Sequence, residues 1–134
     1  MVGFLSKSSL VAAAVFLSVA AALSIFFASS SPKLQTTVET DIFGVKIIKN
    51  PPQSKLTDLG VSSWRKWEGG PSKFPWTFTA TETMYLLKGK VKVECEGHEG
   101  QFEIGAGDLV VFPNGMKVTW DIIEPVEKHF SLEE

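Results

Sequence analysis

Glu82 is the one ionisable side chain in an otherwise apolar alternation. Phe74, Trp76, Phe78 and Ala80 recur at every second residue, and the same step runs on through Glu82, Met84 and Leu86. Residues spaced by two share a face of an extended chain. Trp76, Phe78, Glu82 and Met84 are therefore expected to look into one interior, where Val118 and Trp120 of a later alternating run join them. Three readings fit that lining. It is a packed core with Glu82 at its mouth or hydrogen-bonded to backbone. It is a small-molecule pocket, with aromatic walls and one carboxylate that orients the ligand. Or Glu82 works as a general acid or base, making it the candidate catalytic residue.

The other reactive side chains are few. His98 lies in Glu96-Gly97-His98-Glu99-Gly100, where a solvated turn histidine is the ordinary outcome, and His129 near the chain end reads as structural or exposed. Cys95 is the single cysteine, so no disulfide within the chain can form. It follows Val91 and Val93 at period two and reads as a small buried side chain. Lys128 is either solvated, as lysines on terminal strands mostly are, or the ion-pair partner of Glu82. Trp64 and Trp67, three apart, are expected on opposite faces of one strand, one in a core and one at a surface.

A chain of 134 residues with 44% hydrophobic and 21% charged content has room for one domain. All 15 acidic residues lie at or beyond Glu39, whereas Lys7 and Lys33, two of the 13 basic ones, precede it. The remainder is acidic and lacks the basic surface that nucleic acid requires. Residues 10–28 carry no charge and are long enough to cross a bilayer as a helix. Residues 1–40 are accordingly expected to be a hydrophobic targeting or anchor segment plus a linker broken by Pro32. The expected location is a membrane through a single N-terminal anchor; the alternatives are a plastid, or secretion after cleavage near Ala28.

Residues 41–134 read as strands between turn signals. Val45–Lys49 stops at Asn50-Pro51-Pro52, after which Ser54 is expected to cap a short helical turn to Leu59. Ser62–Glu68 ends at Gly69-Gly70-Pro71, and Lys73–Ala80 follows. Glu82–Leu87 and Lys90–Cys95 are expected to form a hairpin about Lys88-Gly89. Gln101–Ile104, Asp108–Phe112, Met116–Asp121 and Val126–Leu132 complete the series. Eight or nine short strands with one short helix predict an all-β sandwich or barrel.

Two spacings sharpen this. Six residues separate Glu82 from Gly89, and five separate Gly107 from Pro113-Asn114-Gly115. Both frames resemble the two motifs of the cupins. Asn50-Pro51-Pro52, Pro71 to Thr77, Thr81-Glu82-Thr83, Gly89-Lys90-Val91, Gly107-Asp108, Phe112-Pro113, Trp120 and Lys128-His129 further resemble small, plant-type single-domain cupins related to the (S)-ureidoglycine aminohydrolase cupin domain. The resemblance covers about residues 42–130. It implies an RmlC-like jelly-roll barrel, here preceded by the N-terminal hydrophobic helix. It also implies four inward metal-ligand positions, which in this chain fall on Trp76, Phe78, Glu82 and Val118. One carboxylate among indole, phenyl and isopropyl groups is not a transition-metal site, so no metal or cofactor is expected.

The reading is a cupin barrel without the usual metal ligands that binds a small molecule, with a homodimer through a barrel edge as a possible assembly. The alternatives are a hydrolase acting on a C–N bond, as the resemblance implies, or a structural scaffold. Whether the chain is an enzyme stays open.

Overall fold

The computed structural model describes residues 37–134. Most of them fall into strands, as the recurrence of β-branched and aromatic residues between turn formers requires. In chain order these are β1 (Glu39–Ile42), β2 (Val45–Lys49), β3 (Arg65–Gly69), β4 (Ser72–Thr77), β5 (Thr81–Cys95), β6 (Phe102–Gly105), β7 (Asp108–Phe112) and β8 (Lys117–Glu133). One helix, α1 (Gln53–Leu59), and a 3-10 turn at Val61–Ser63 link β2 to β3.

Two long antiparallel strands are the spine. β5 and β8 pair from Thr81↔Glu133 to Cys95↔Val118. β7 lies on the first half of β5 and β6 on the second, while β3 lies on the last part of β8 and β4 on the first. β2 and then β1 extend the sheet beyond β7. The curled sheet surrounds one core, in which Val45, Met84, Leu86, Val91, Val93, Ile104, Val110 and Phe112 have no measurable exposure.

The expected hairpin at Lys88-Gly89 is corrected: Glu82–Leu87 and Lys90–Cys95 belong to one continuous strand. Buried residues of β5 are even-numbered before Gly89 (Glu82, Met84, Leu86) and odd-numbered after it (Val91, Val93, Cys95). A β-bulge inserts one unpaired residue, which swaps the faces of everything beyond it. Register shifts at Leu86/Lys88, Lys88/Lys90 and Lys90/Val91 accomplish that swap. Opposite them, Pro125 falls in the gap between Glu124 and Glu127, where no ladder N–H is needed. For this reason Met116–Asp121 and Val126–Leu132, expected as two strands, are one strand as well.

Two local expectations also change. α1 starts at Gln53 behind Pro52, with no side-chain cap from Ser54, and stops at Gly60 (φ 69°), whose N–H closes the last turn onto Leu56 and Thr57. The 3-10 turn delays β3 to Arg65, leaving Trp64 in a connection.

The membrane location is corrected too. Residues 10–28 and the N-terminal helix expected there lie outside the described residues. Among the described residues no helix is long and apolar enough to cross a membrane. α1, with 7 residues, rises only about 10 Å, against roughly 30 Å of hydrocarbon.

Gly89 has φ +100°, and a Cβ there would meet Pro125 O at 2.5 Å and Val126 Cα at 2.8 Å, both backbone. Gly97 has φ +84° with open space around it. Gly97→Ala is expected to cost about 1 kcal/mol, the left-handed penalty alone. Gly89→Ala should cost at least about 3 kcal/mol, because the two spine strands must separate. Urea midpoints of the two variants against the parent measure the difference; equal costs would mean that the bulge does not need this close approach.

Candidate functional site

β5, β8, β3 and β4 bring their inward faces together around a cavity of about 250 Å³, lined by Trp67, Phe74, Trp76, Phe78, Glu82, Trp120, Lys128, Phe130 and Leu132. Six of these nine are aromatic. Each comes from an alternation: Trp67 from β3, Phe74 and Trp76 from β4, Trp120, Lys128, Phe130 and Leu132 from β8. Gly69 is two residues beyond Trp67 and leaves the volume that its indole occupies, since a Cβ there would overlap the ring. Phe78 lies just beyond β4, tied by its N–H to Met116 O and by its carbonyl to the N–H of Gly115.

Inside this lining Lys128 Nζ donates to Glu82 Oε2 at 2.7 Å. The two residues are 8% and 7% exposed. The ammonium lies 4.7 Å from the ring centroid of Trp120, 5.3 Å from Trp67 and 5.4 Å from Phe130. Aromatic faces attract a cation, most strongly where water is excluded. Met84 Sδ, at 3.9 Å, is a weak third partner. Burial pushes the Lys128 amine below its ordinary value of 10.5, and the charge and hydrogen bond of Glu82 only partly restore it.

Two donors on residues that line the cavity have bonds to spare. An ammonium has three N–H bonds, of which Glu82 takes one and the thioether at most a weak second. Trp120 is 3% exposed, and its Nε1–H has no acceptor among the described residues. A buried donor without a partner costs about 1–3 kcal/mol. The site thus combines apolar walls with unspent donors.

The expected residues divide. Phe78, Glu82 and Trp120 line the cavity, and Trp76 joins them only at the rim, 53% exposed on β4. Met84 is fully buried behind the pair and touches Lys128 rather than the cavity. Val118, pairing with Trp76 across β4 and β8, is core on this side and contributes to a different groove. Lys128, left open between solvent and Glu82, is buried against Glu82. Trp67, Phe74, Phe130 and Leu132 were not anticipated as lining. Two signals point to three of them: Val126, Lys128, Phe130 and Leu132 share one parity, and Phe74 shares that of Trp76.

The remaining candidates lie elsewhere. His98 stacks on Phe43 at 4.5 Å between centroids, and His129 Nδ1 is 3.3 Å from Trp64 O. Cys95 is buried beside Met116, and burial raises its thiol above the ordinary range. Among the described residues, no group of three or more His, Cys, Asp or Glu side chains comes together. The residues at the cupin ligand positions offer one carboxylate, already bound to an ammonium, and therefore do not fit a transition metal. The groove that Val118 joins is larger, about 680 Å³, and open between Trp76, the turn at Glu96–Gly100 and Lys117. None of the buried charged side chains, Glu82, Asp108 and Lys128, faces it.

A family model described as the EutQ-like cupin domain matches residues 56–130. Among solved structures, a DUF861-family protein from Thermotoga maritima is 43% identical over 66% of this chain and 99% of its own, with a TM-score of 0.63. RmlC from Streptococcus suis, solved in complex with dTDP-D-xylose, is 12% identical over 75% of this chain and 71% of its own, with a TM-score of 0.51. The second likeness concerns the fold alone. No curated protein matches the chain.

Removing one member of a buried pair strands the other, at about 3–5 kcal/mol, whereas apolar replacement of both is often neutral. Glu82→Leu is therefore expected to lose about that much, and Glu82→Leu with Lys128→Met to recover most of it in a double-mutant cycle. Titration adds a sign. Between the depressed folded pKa of Lys128 and 10.5, the unfolded chain holds the extra proton, so stability rises with pH through that window. Urea midpoints from neutral pH to about pH 10 should move in favour of the parent relative to Lys128→Arg, which does not titrate there. A constant difference would mean that burial does not depress Lys128.

Proposed function

The chain belongs to the EutQ-like cupin domain family, and we propose that its barrel binds a small planar organic molecule bearing an acceptor oxygen. The observation that carries this reading is the buried Glu82–Lys128 pair at the wall of an aromatic cavity, with donors to spare. A pair of this kind adds little stability over apolar residues of similar volume. Its place at the cavity wall is better accounted for by a ligand than by folding.

Each part of the site has a task in that reading. Trp67, Phe74 and Phe130 supply faces on which a flat ligand stacks. Lys128, held in place by Glu82, gives its free N–H to the ligand oxygen, and Trp120 Nε1–H gives a second. Trp76, half out at the rim, closes over the bound molecule. A cavity of about 250 Å³ is smaller than drug-sized sites of roughly 300–1,000 Å³, which favours a single ring or a short chain.

The resemblance to ureidoglycine aminohydrolases supports no step here. The positions that would hold a metal for such a reaction carry Trp76, Phe78 and Val118.

Benzamide, one ring with one carbonyl, is a suitable probe. Titrated into the full chain, it is expected to quench tryptophan fluorescence saturably and to raise the melting temperature as bound ligand must. Lys128→Met should weaken binding about tenfold or more, the worth of a hydrogen bond from a charged donor. Trp120→Phe should weaken it less. Saturable binding that both variants leave unchanged would place the ligand elsewhere, and absence of saturation would remove the reading.

A further inference from the structure

We propose that Lys128 is a nucleophilic amine that condenses with an aldehyde or ketone held in the aromatic cavity, with Glu82 as its proton carrier. The inference rests on the binding reading above and adds a covalent step to it. Three features of the geometry support it. Among the described residues, Lys128 Nζ is the one nitrogen nucleophile lining the cavity. A carboxylate stands at 2.7 Å, close enough to take its proton directly. And the aromatic shell, with centroids at 4.7 Å, 5.3 Å and 5.4 Å, holds a cation on that nitrogen whether it is an ammonium or an iminium.

The step balances without a co-reactant. Glu82 takes one proton from the ammonium, and the freed amine attacks the carbonyl carbon. The N–C bond forms while the C–O π electrons move to oxygen, and a proton passes from nitrogen to that oxygen to give the carbinolamine. Glu82 then returns its proton to the hydroxyl, the C–O bond breaks, and water leaves. One ammonium and one carbonyl become one protonated imine and one water, and Glu82 ends ionised as it began. The charge on nitrogen is unchanged, so the ion pair survives the reaction. Among the described residues no other lysine ammonium lies over an aromatic ring. Lys88, with 73% of its side chain exposed, meets the surface carboxylate of Glu127 at 3.0 Å without such a shell.

The test uses the full chain, benzaldehyde and sodium cyanoborohydride, which reduces an iminium to a stable secondary amine. Intact mass should show one benzyl addition at low aldehyde concentration, and peptide mapping should place it on Lys128, at least about tenfold ahead of Lys88. Lys128→Arg retains the charge and cannot form an imine; with its fold checked by thermal melting, it should lose the addition. Glu82→Gln should slow the addition while Lys128 remains its site. If benzamide binds saturably but benzaldehyde marks Lys128 no faster than Lys88, the amine is a hydrogen-bond donor only, and the condensation is overturned while the binding reading stands. If benzamide does not bind either, both fall.

Discussion

Everything in this barrel hangs on a one-residue slip between its two longest strands. β5 and β8 together touch every other strand except β1 and β2, so their mutual register decides which side chains the others meet. Gly89 and Pro125 absorb the slip where they face each other, one by accepting a positive φ and the other by needing no ladder donor. On one side of it β5 turns Glu82, Met84 and Leu86 inward, and on the other Val91, Val93 and Cys95. Without the swap, the second half of β5 would present Lys90, Lys92 and Glu94 to the core. The site and the apolar core are thus two halves of one face pattern, joined at a bulge.

The polar floor of the cavity illustrates what such a scaffold must overcome. Moving a carboxylate and an ammonium out of water costs several kcal/mol each, and mutual attraction returns this only with good geometry and further partners. Here the 2.7 Å contact is reinforced by three aromatic faces and a thioether. The rings come from β3 and β8, and Trp67 owes its position to the side chain that Gly69 lacks. Packing and electrostatics are therefore one problem at this site: a ring that shifts away would weaken the hold on the cation.

The short strands β2 and β7 were legible in the sequence because each is a β-branched run closed by turn formers, Asn50-Pro51 after one and Pro113-Asn114-Gly115 after the other. The long strands were not, since a bulge looks like a turn when parity breaks at a glycine: Lys88-Gly89 has hairpin chemistry and no hairpin. The residues facing inward from β5 could be read because Glu82 shares a parity with its aromatic predecessors. Lys128 was harder. Its even step with Val126 and Phe130 pointed inward, against the general habit of lysine, and only a partner supplied from 46 residues away decides the matter. Trp67 could not be placed without the register of β3 on β8, where it stands directly across from Lys128. Trp76 obeyed its alternation yet sits at the rim, because among the described residues β4 pairs with β8 alone and leaves Trp76 half exposed.

In this barrel the cation that meets Glu82 is a side chain, not a visitor. A bound ion is subject to supply, to competition from its neighbours in the periodic table and to removal by chelators. An ammonium on a four-carbon tether is subject to none of these: it is delivered with every copy of the chain, one per site, at translation. The state of the site is then governed by protonation and by covalent modification of one amine, so acetylating Lys128 would silence it where a chelator would leave it untouched.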